Sequence, residues 1–164
     1  MPKEKMTMPL YQSLDDRLKN QHEAIRNIIK GLDENRLLAR PEPGKWSIHD
    51  NIAHLAKLQS IYFERIDKIL SHEDPLLQDY APEQDPDLPA WMNLNTDALL
   101  ERMDSDRKQI YAIITSLSDK QLARIGTHTT RGRLPLSGWI EMMILHEAHH
   151  IWTIFKLVHN GESK

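Results

Sequence analysis

Four stretches of this chain repeat apolar residues every three or four positions, the spacing that places them on one face of a helix. In the first, residues 10–29, Leu10, Leu14, Leu18, Ala24 or Ile25, and Ile28 recur among charged positions, and Gly31 offers a stop. The second spans residues 47–70: Ser47 precedes Asp50 at capping-box spacing, and Ile48, Ile52, Leu55, Ile61 or Tyr62, Ile66 and Ile69 follow. The third, residues 96–117, takes Thr96 as its cap and Leu99, Leu100, Met103, Ile110, Ile113, Ile114 and Leu117 as its apolar face. Its polar run 104–108 reads as solvated. The fourth covers residues 136–160, with Leu136, Trp139 or Ile140, Met143, Ile144, Ile151, Ile154, Phe155 and Val158 facing a core and Gly161 ending it.

The connections are legible from their breakers. Two prolines and a glycine enforce a loop over residues 40–46. Residues 71–93 are acidic and proline-rich, the composition of a solvated crossover, which Trp91 and Met92 tack to the core. Residues 118–122 read as a short helical turn and 126–133 as an irregular or hairpin-like link. No stretch reads convincingly as a strand. The expectation is one all-α domain over residues 1–164: a four-helix bundle with a long crossover between helices 2 and 3, and a frayed segment at 1–8.

Composition removes several function classes. The 164 residues contain no cysteine, which excludes disulfides, thiolate metal sites and cysteine nucleophiles. A net charge of −3 gives no pull toward nucleic acid or an anionic membrane. No apolar run reaches the roughly 18 residues of a membrane span, and no signal-peptide core follows the start. A soluble, cytoplasmic protein is expected.

The chemistry concentrates near the end of the chain, in His146-Glu147-Ala148-His149-His150. On a helix, His146 and His150 stand one turn apart and can reach one ion, while His149 points about 100° away from His150. The string fits the HExxH pattern of zinc proteases. The longer metzincin form needs glycine at 153 and histidine at 156, where Thr153 and Lys156 stand, and little chain remains for a distal ligand. Glu147 is a general base, a residue that orients a ligand imidazole, or a surface carboxylate. Taken singly, His22 reads as a surface or boundary histidine and His54 as a packed or boundary one. Arg131 and Arg133 are solvated cations or binders of an anionic ligand at the mouth of the bundle.

Three segments together, Trp46-Ser47-Ile48-His49-Asp50-Asn51-Ile52-Ala53-His54-Leu55, the link 117–128 and the terminal His146 to His150, resemble the DinB-like (DinB/YfiT) superfamily of bacterial metal-binding four-helix bundles. The resemblance runs over about residues 10–161. It implies a divalent metal held by His54, His146 and His150, with His49 and His149 outside the ligand set. Three neutral imidazoles leave a position open for water or substrate, the arrangement of a catalytic site. Zinc is the default ion, with nickel, iron or manganese as the others that imidazole ligands accept. The family implies a homodimer and a small-molecule substrate, with transfer of a low-molecular-weight thiol of the bacillithiol or mycothiol kind ahead of hydrolysis. A non-catalytic, stress-associated binding or dimerisation module is the alternative.

Overall fold

A computed structural model describes residues 10–160; the expected fray at 1–8 and the stop at Gly161 lie outside the described residues. Four helical arms make the bundle. The first is broken: α1 (Gln12–Asn20) passes through a 3₁₀ turn, Gln21–Glu23, into α2 (Ala24–Ile28). Apolar periodicity alone predicted one helix here. The break falls where Gln21 and His22 turn toward the interior, and the tighter winding re-aims both side chains. His22 is therefore buried, not a surface or boundary residue. A short helix that periodicity did not predict, α3 (Glu34–Leu38), follows and is capped by Asp33.

The second arm is α4 (Ile48–Ser71), and its start is firmly set. Ser47 Oγ accepts from the Asp50 amide while the Asp50 carboxylate accepts from the Ser47 amide, both at 3.0 Å. Such a box satisfies two orphan donors and stabilises the helix end by about 1 kcal/mol per cap. The crossover carries β1 (Leu76–Leu77), a 3₁₀ turn Pro82–Gln84 and α5 (Leu88–Met92), and Trp91 and Met92 do pack against the core. The third arm, α6 (Thr96–Ser116), is capped by Asn95 instead of Thr96: Asn95 Oδ1 accepts from the Ala98 amide at 2.7 Å. The Thr96 hydroxyl bonds His49 Nδ1 at 2.8 Å. After α7 (Asp119–Leu122), the strands β2 (Ile125–His128) and β3 (Gly132–Pro135) lead into the fourth arm, α8 (Leu136–Asn160).

Three short strands are added to the helical frame, and the link read as irregular or hairpin-like is a hairpin. β2 and β3 form an antiparallel hairpin, with Ile125 opposite Pro135, and β1 pairs parallel to β2 through Leu76 and Thr127. Segments of two and four residues are too short to display a period-two pattern, so they pass as loop in a sequence. Gly126 explains how the hairpin sits so close to α4. A Cβ there would meet Ile69 Cγ1 at 2.9 Å, and the Gly126 carbonyl accepts from Trp139 Nε1 at 3.1 Å.

α4 packs against both α6 and α8. The interior is layered along the bundle. One apolar cluster gathers Leu14, Leu18, Ile69, Ile110, Ile140 and Ile144; the other gathers Ile25, Ile52, Leu99, Met103, Ile154 and Val158. Each arm also places buried or half-buried polar residues between these sets: Gln21 and His22, Gln59, Arg107, and Glu147. Arg107 is 1% exposed, so the run 104–108 is not uniformly solvated. Phe155, expected in the core, is exposed and stacks on exposed Trp152. No described helix is long and apolar enough to cross a membrane.

Candidate metal centre

His54 comes from the second turn of α4, and His146 and His150 from successive turns of α8, where the two helices pack. One nitrogen from each lies within 4.8 Å of the others. His146 Nε2 is 3.4 Å from His54 Nε2 and 3.1 Å from His150 Nε2. Tetrahedral zinc, with bonds of about 2.0–2.1 Å, separates its ligand nitrogens by roughly 3.3 Å. The three imidazoles therefore suit one small cation.

Electrostatics agree with that fit. Burial lowers the pKa of His54 to about 3, helped by the charges of His150 and His146. Burial does the same for His150, also to about 3, with His146 and His149 adding to it. His146 is lowered as well, by burial first and then by the charge of Arg131. Near neutral pH all three rings are uncharged, and their Nε2 atoms face one another. Neutral imidazoles each offer a lone pair, the state a metal ligand requires.

Surrounding groups fix the rings. Asn51 lies one turn before His54 on α4, and its Nδ2 donates to the Ser47 carbonyl at 2.8 Å. That bond turns Asn51 Oδ1 toward His150 Nδ1, 2.8 Å away, so Nδ1 carries the proton and Nε2 is free. Trp46 packs at a tilt against His54 with ring centroids 4.9 Å apart, and Tyr80 stacks on the same ring at 5.9 Å. His54 Nδ1 is buried and has no hydrogen-bond partner among the described residues. Asn51 and Tyr80 had no part in the sequence reading. Asn51 was detectable as a polar residue at i−3 from His54, on the same helix face.

Glu147 is not brought to the imidazoles. One step along α8 from His146, it points about 100° around the helix into the polar layer and ion-pairs with Arg107. Gln21 Nε2 donates to Glu147 Oε1 at 2.9 Å. Arg107 Nε donates to Gln59 Oε1 at 3.1 Å and its Nη1 to the Leu18 carbonyl at 3.2 Å. Burial and the Arg107 charge lower the His22 pKa to about 4, leaving that ring neutral beside the guanidinium. The carboxylate is thus engaged by two donors inside the core, and the pair ties α1, α4, α6 and α8 together.

The remaining histidines and arginines separate cleanly. His49 is buried, with Nε2 bonded to the Met92 carbonyl at 2.8 Å, and anchors the crossover. His149 is exposed. Arg133 pairs with Asp74 at 2.9 Å, whereas Arg131, at the hairpin tip, lines a cavity that reaches His146.

Several known proteins share this architecture. The solved structure of YfiT from Bacillus subtilis, described as a probable metal-dependent hydrolase with an unusual four-helix bundle topology, superposes with a TM-score of 0.82. It is 18% identical, and the match covers 98% of this chain and 93% of that one. YuaE of Bacillus subtilis is 28% identical over 137 residues, 76% of this chain and 85% of its own length. A protein of Oceanobacillus iheyensis called "Putative metal-dependent hydrolase OB0413" is 21% identical over 126 residues, 75% of this chain and 70% of its own. The sequence profile of the DinB superfamily matches residues 17–154, and the chain belongs to that superfamily.

Proposed function

We propose that this protein is a divalent-metal-dependent enzyme that activates a small nucleophile against a small-molecule substrate. The observation that carries the reading is the convergence of three uncharged imidazoles, with Nε2 separations of 3.1 and 3.4 Å, beside a cavity that His146 lines. His54, His146 and His150 would hold the ion. An ion so held supplies Lewis-acid chemistry, lowering the pKa of water or of a thiol into the physiological range.

The chain's own residues supply the rest. Asn51 holds the His150 tautomer, Trp46 and Tyr80 fix the His54 ring, and Leu58, Tyr62, Ile66 and Trp139 wall the cavity against water. Glu147 acts as a positioning residue: its bond to Arg107 sets the rotation of α8 about its axis, and so the direction of the neighbouring His146. Hydrolysis is favoured over thiol transfer, because relatives from two organisms bear the name of metal-dependent hydrolases. Thiol transfer, implied by the resemblance in the sequence, would use the same site with a thiolate as nucleophile.

The test is a screen of zinc-, nickel- and manganese-loaded protein against ester, amide and phosphoester substrates, and against thiol and electrophile pairs. The expected result is a metal-dependent turnover that His54→Ala abolishes. No turnover with any metal, or turnover unchanged in His54→Ala, overturns the proposal.

A further inference from the structure

Two cations line the cavity beside His146, and neither has a carboxylate partner among the described residues. Arg65 projects from α4, eleven residues after His54 and so on nearly the same helix face. It is partly buried; burial is the main cause lowering its pKa, and the charge of Arg131 lowers it further. Its Nη2 donates to the Gln78 carbonyl at 2.7 Å, and no hydrogen bond engages its Nε or Nη1. Arg131 comes from the hairpin tip and makes neither a hydrogen bond nor an ion pair with the described residues. Desolvating a guanidinium without a paired carboxylate costs stability, so the half-buried Arg65 stands ready for an anion from outside, while Arg131 is exposed at the cavity mouth where an entering anion would meet it.

The other charged group at the rim offsets the pair only in part: the Asp79 charge raises the Arg65 pKa but forms no ion pair with either arginine. Asp79 lines the same cavity, yet its nearest basic neighbour is His128, with Oδ1 3.7 Å from Nε2. Burial and the charge of Arg65 lower the His128 pKa. With two arginines and one aspartate the rim carries a net positive charge. The apolar walls include Tyr62, Ile66, Trp139 and Met143, and the cavity volume is about 50 Å³. That space admits a slim aliphatic segment in preference to a ring.

We infer that the substrate is a slender molecule with an anionic end group, carboxylate or phosphate, held by Arg65 and Arg131, and an apolar segment that directs its reactive bond toward His146. This rests on the reading of the three-histidine centre as the reacting end of the cavity. The guanidinium fork accepts either anion.

The test is a two-dimensional NMR titration of metal-free and zinc-loaded protein with pentanoate, butyl phosphate and pentan-1-ol. Metal-free protein reads the arginines alone, without direct ligation of the anion by zinc. Both anions, or one of them, are expected to bind at least about tenfold more tightly than the alcohol, as charge-assisted hydrogen bonds allow. The tighter anion identifies the end group. Arg131→Gln and Arg65→Gln should each remove most of that preference while leaving the alcohol unchanged, and Arg65→Lys should keep part of it. Equal binding of alcohol and anions by metal-free protein, or full anion preference in Arg131→Gln, overturns the inference. If the protein holds no zinc but binds anions through the arginines, the metal reading fails and the anion subsite stands. If it holds zinc but has no arginine-dependent preference, the reverse is true.

Discussion

His146 and Glu147 are neighbours on α8, yet they enter two polar clusters of opposite character. Around Glu147 every strong group is answered: the carboxylate meets Arg107 and Gln21, and the guanidinium also meets Gln59 and the Leu18 carbonyl. Around His146 three lone-pair donors face one another. The first cluster is satisfied by the protein's own groups, whereas the second aims three ring nitrogens at one point. A buried polar group that its own fold satisfies is structural; a convergence of like groups that the fold leaves unsatisfied points to a ligand.

The sharpest way to break this contrast is to unbalance the closed cluster. Arg107→Met leaves a buried carboxylate without its counter-charge and should destabilise the fold by about 3–5 kcal/mol in urea unfolding. The double variant R107M/E147M should recover most of that loss. If the single variant unfolds like the parent, the pair does not hold the arms together.

In the open cluster the order reverses, with function more sensitive than stability. His146→Ala should weaken zinc binding by more than roughly 100-fold, exceeding the loss typical of outer partners, while the metal-free melting temperature stays within a few degrees. Calorimetric titration reads the first and thermal unfolding the second. Asn51→Leu, which frees the His150 ring without touching a ligand, should cost about 10–100-fold in zinc affinity. Unchanged affinity would mean that the Asn51 bond does not select the tautomer.

Acidification should weigh most on the open cluster, which holds two ring pKa values at about 3, and less on the closed one, where that of His22 alone falls to about 4. His54 and His150 fall to about 3 on folding, from about 6.5 in an unfolded chain. The unfolded state therefore takes up protons that the fold refuses. Stability of the metal-free protein is complete above about pH 6.5 and is lost progressively as pH falls toward 3. Urea midpoints measured between about pH 7 and 5, where most carboxylates stay ionised, should fall, and the slope should flatten in H54Q/H150Q. A pH-independent midpoint in the parent would contradict the assigned burial. The smallest effect is expected at the surface, where Arg133→Gln, removing the pair with Asp74, should change stability by about 0–1 kcal/mol.

The sequence already revealed much of the frame, because long amphipathic helices repeat one signal over many turns. α4, α6 and α8 could be read within a residue or two, and the Ser47–Asp50 capping box marked the start of the helix that carries His54. The break in the first arm was not readable, since Leu14, Leu18 and Ile25 keep the helical spacing on either side of the 3₁₀ turn. The His146 and His150 pair follows from i, i+4 spacing, whereas His54, 92 positions earlier than His146, came only from the family resemblance. What spacing cannot say is which way a charged residue on a mixed face will turn. Arg107 sits in a run of charges that looks solvated and is among the most buried residues of the protein. Glu147 fits the base position of a protease string, yet its carboxylate is held in the core by a partner 40 positions away.

The most direct test of the central claim is the zinc content of metal-stripped protein after reloading and exhaustive dialysis, measured by elemental analysis beside the variant H54A/H146A/H150A. The account predicts about one ion per parent chain, as one three-ligand site requires, and none in the variant. An empty parent chain, or the same content in both proteins, would contradict it.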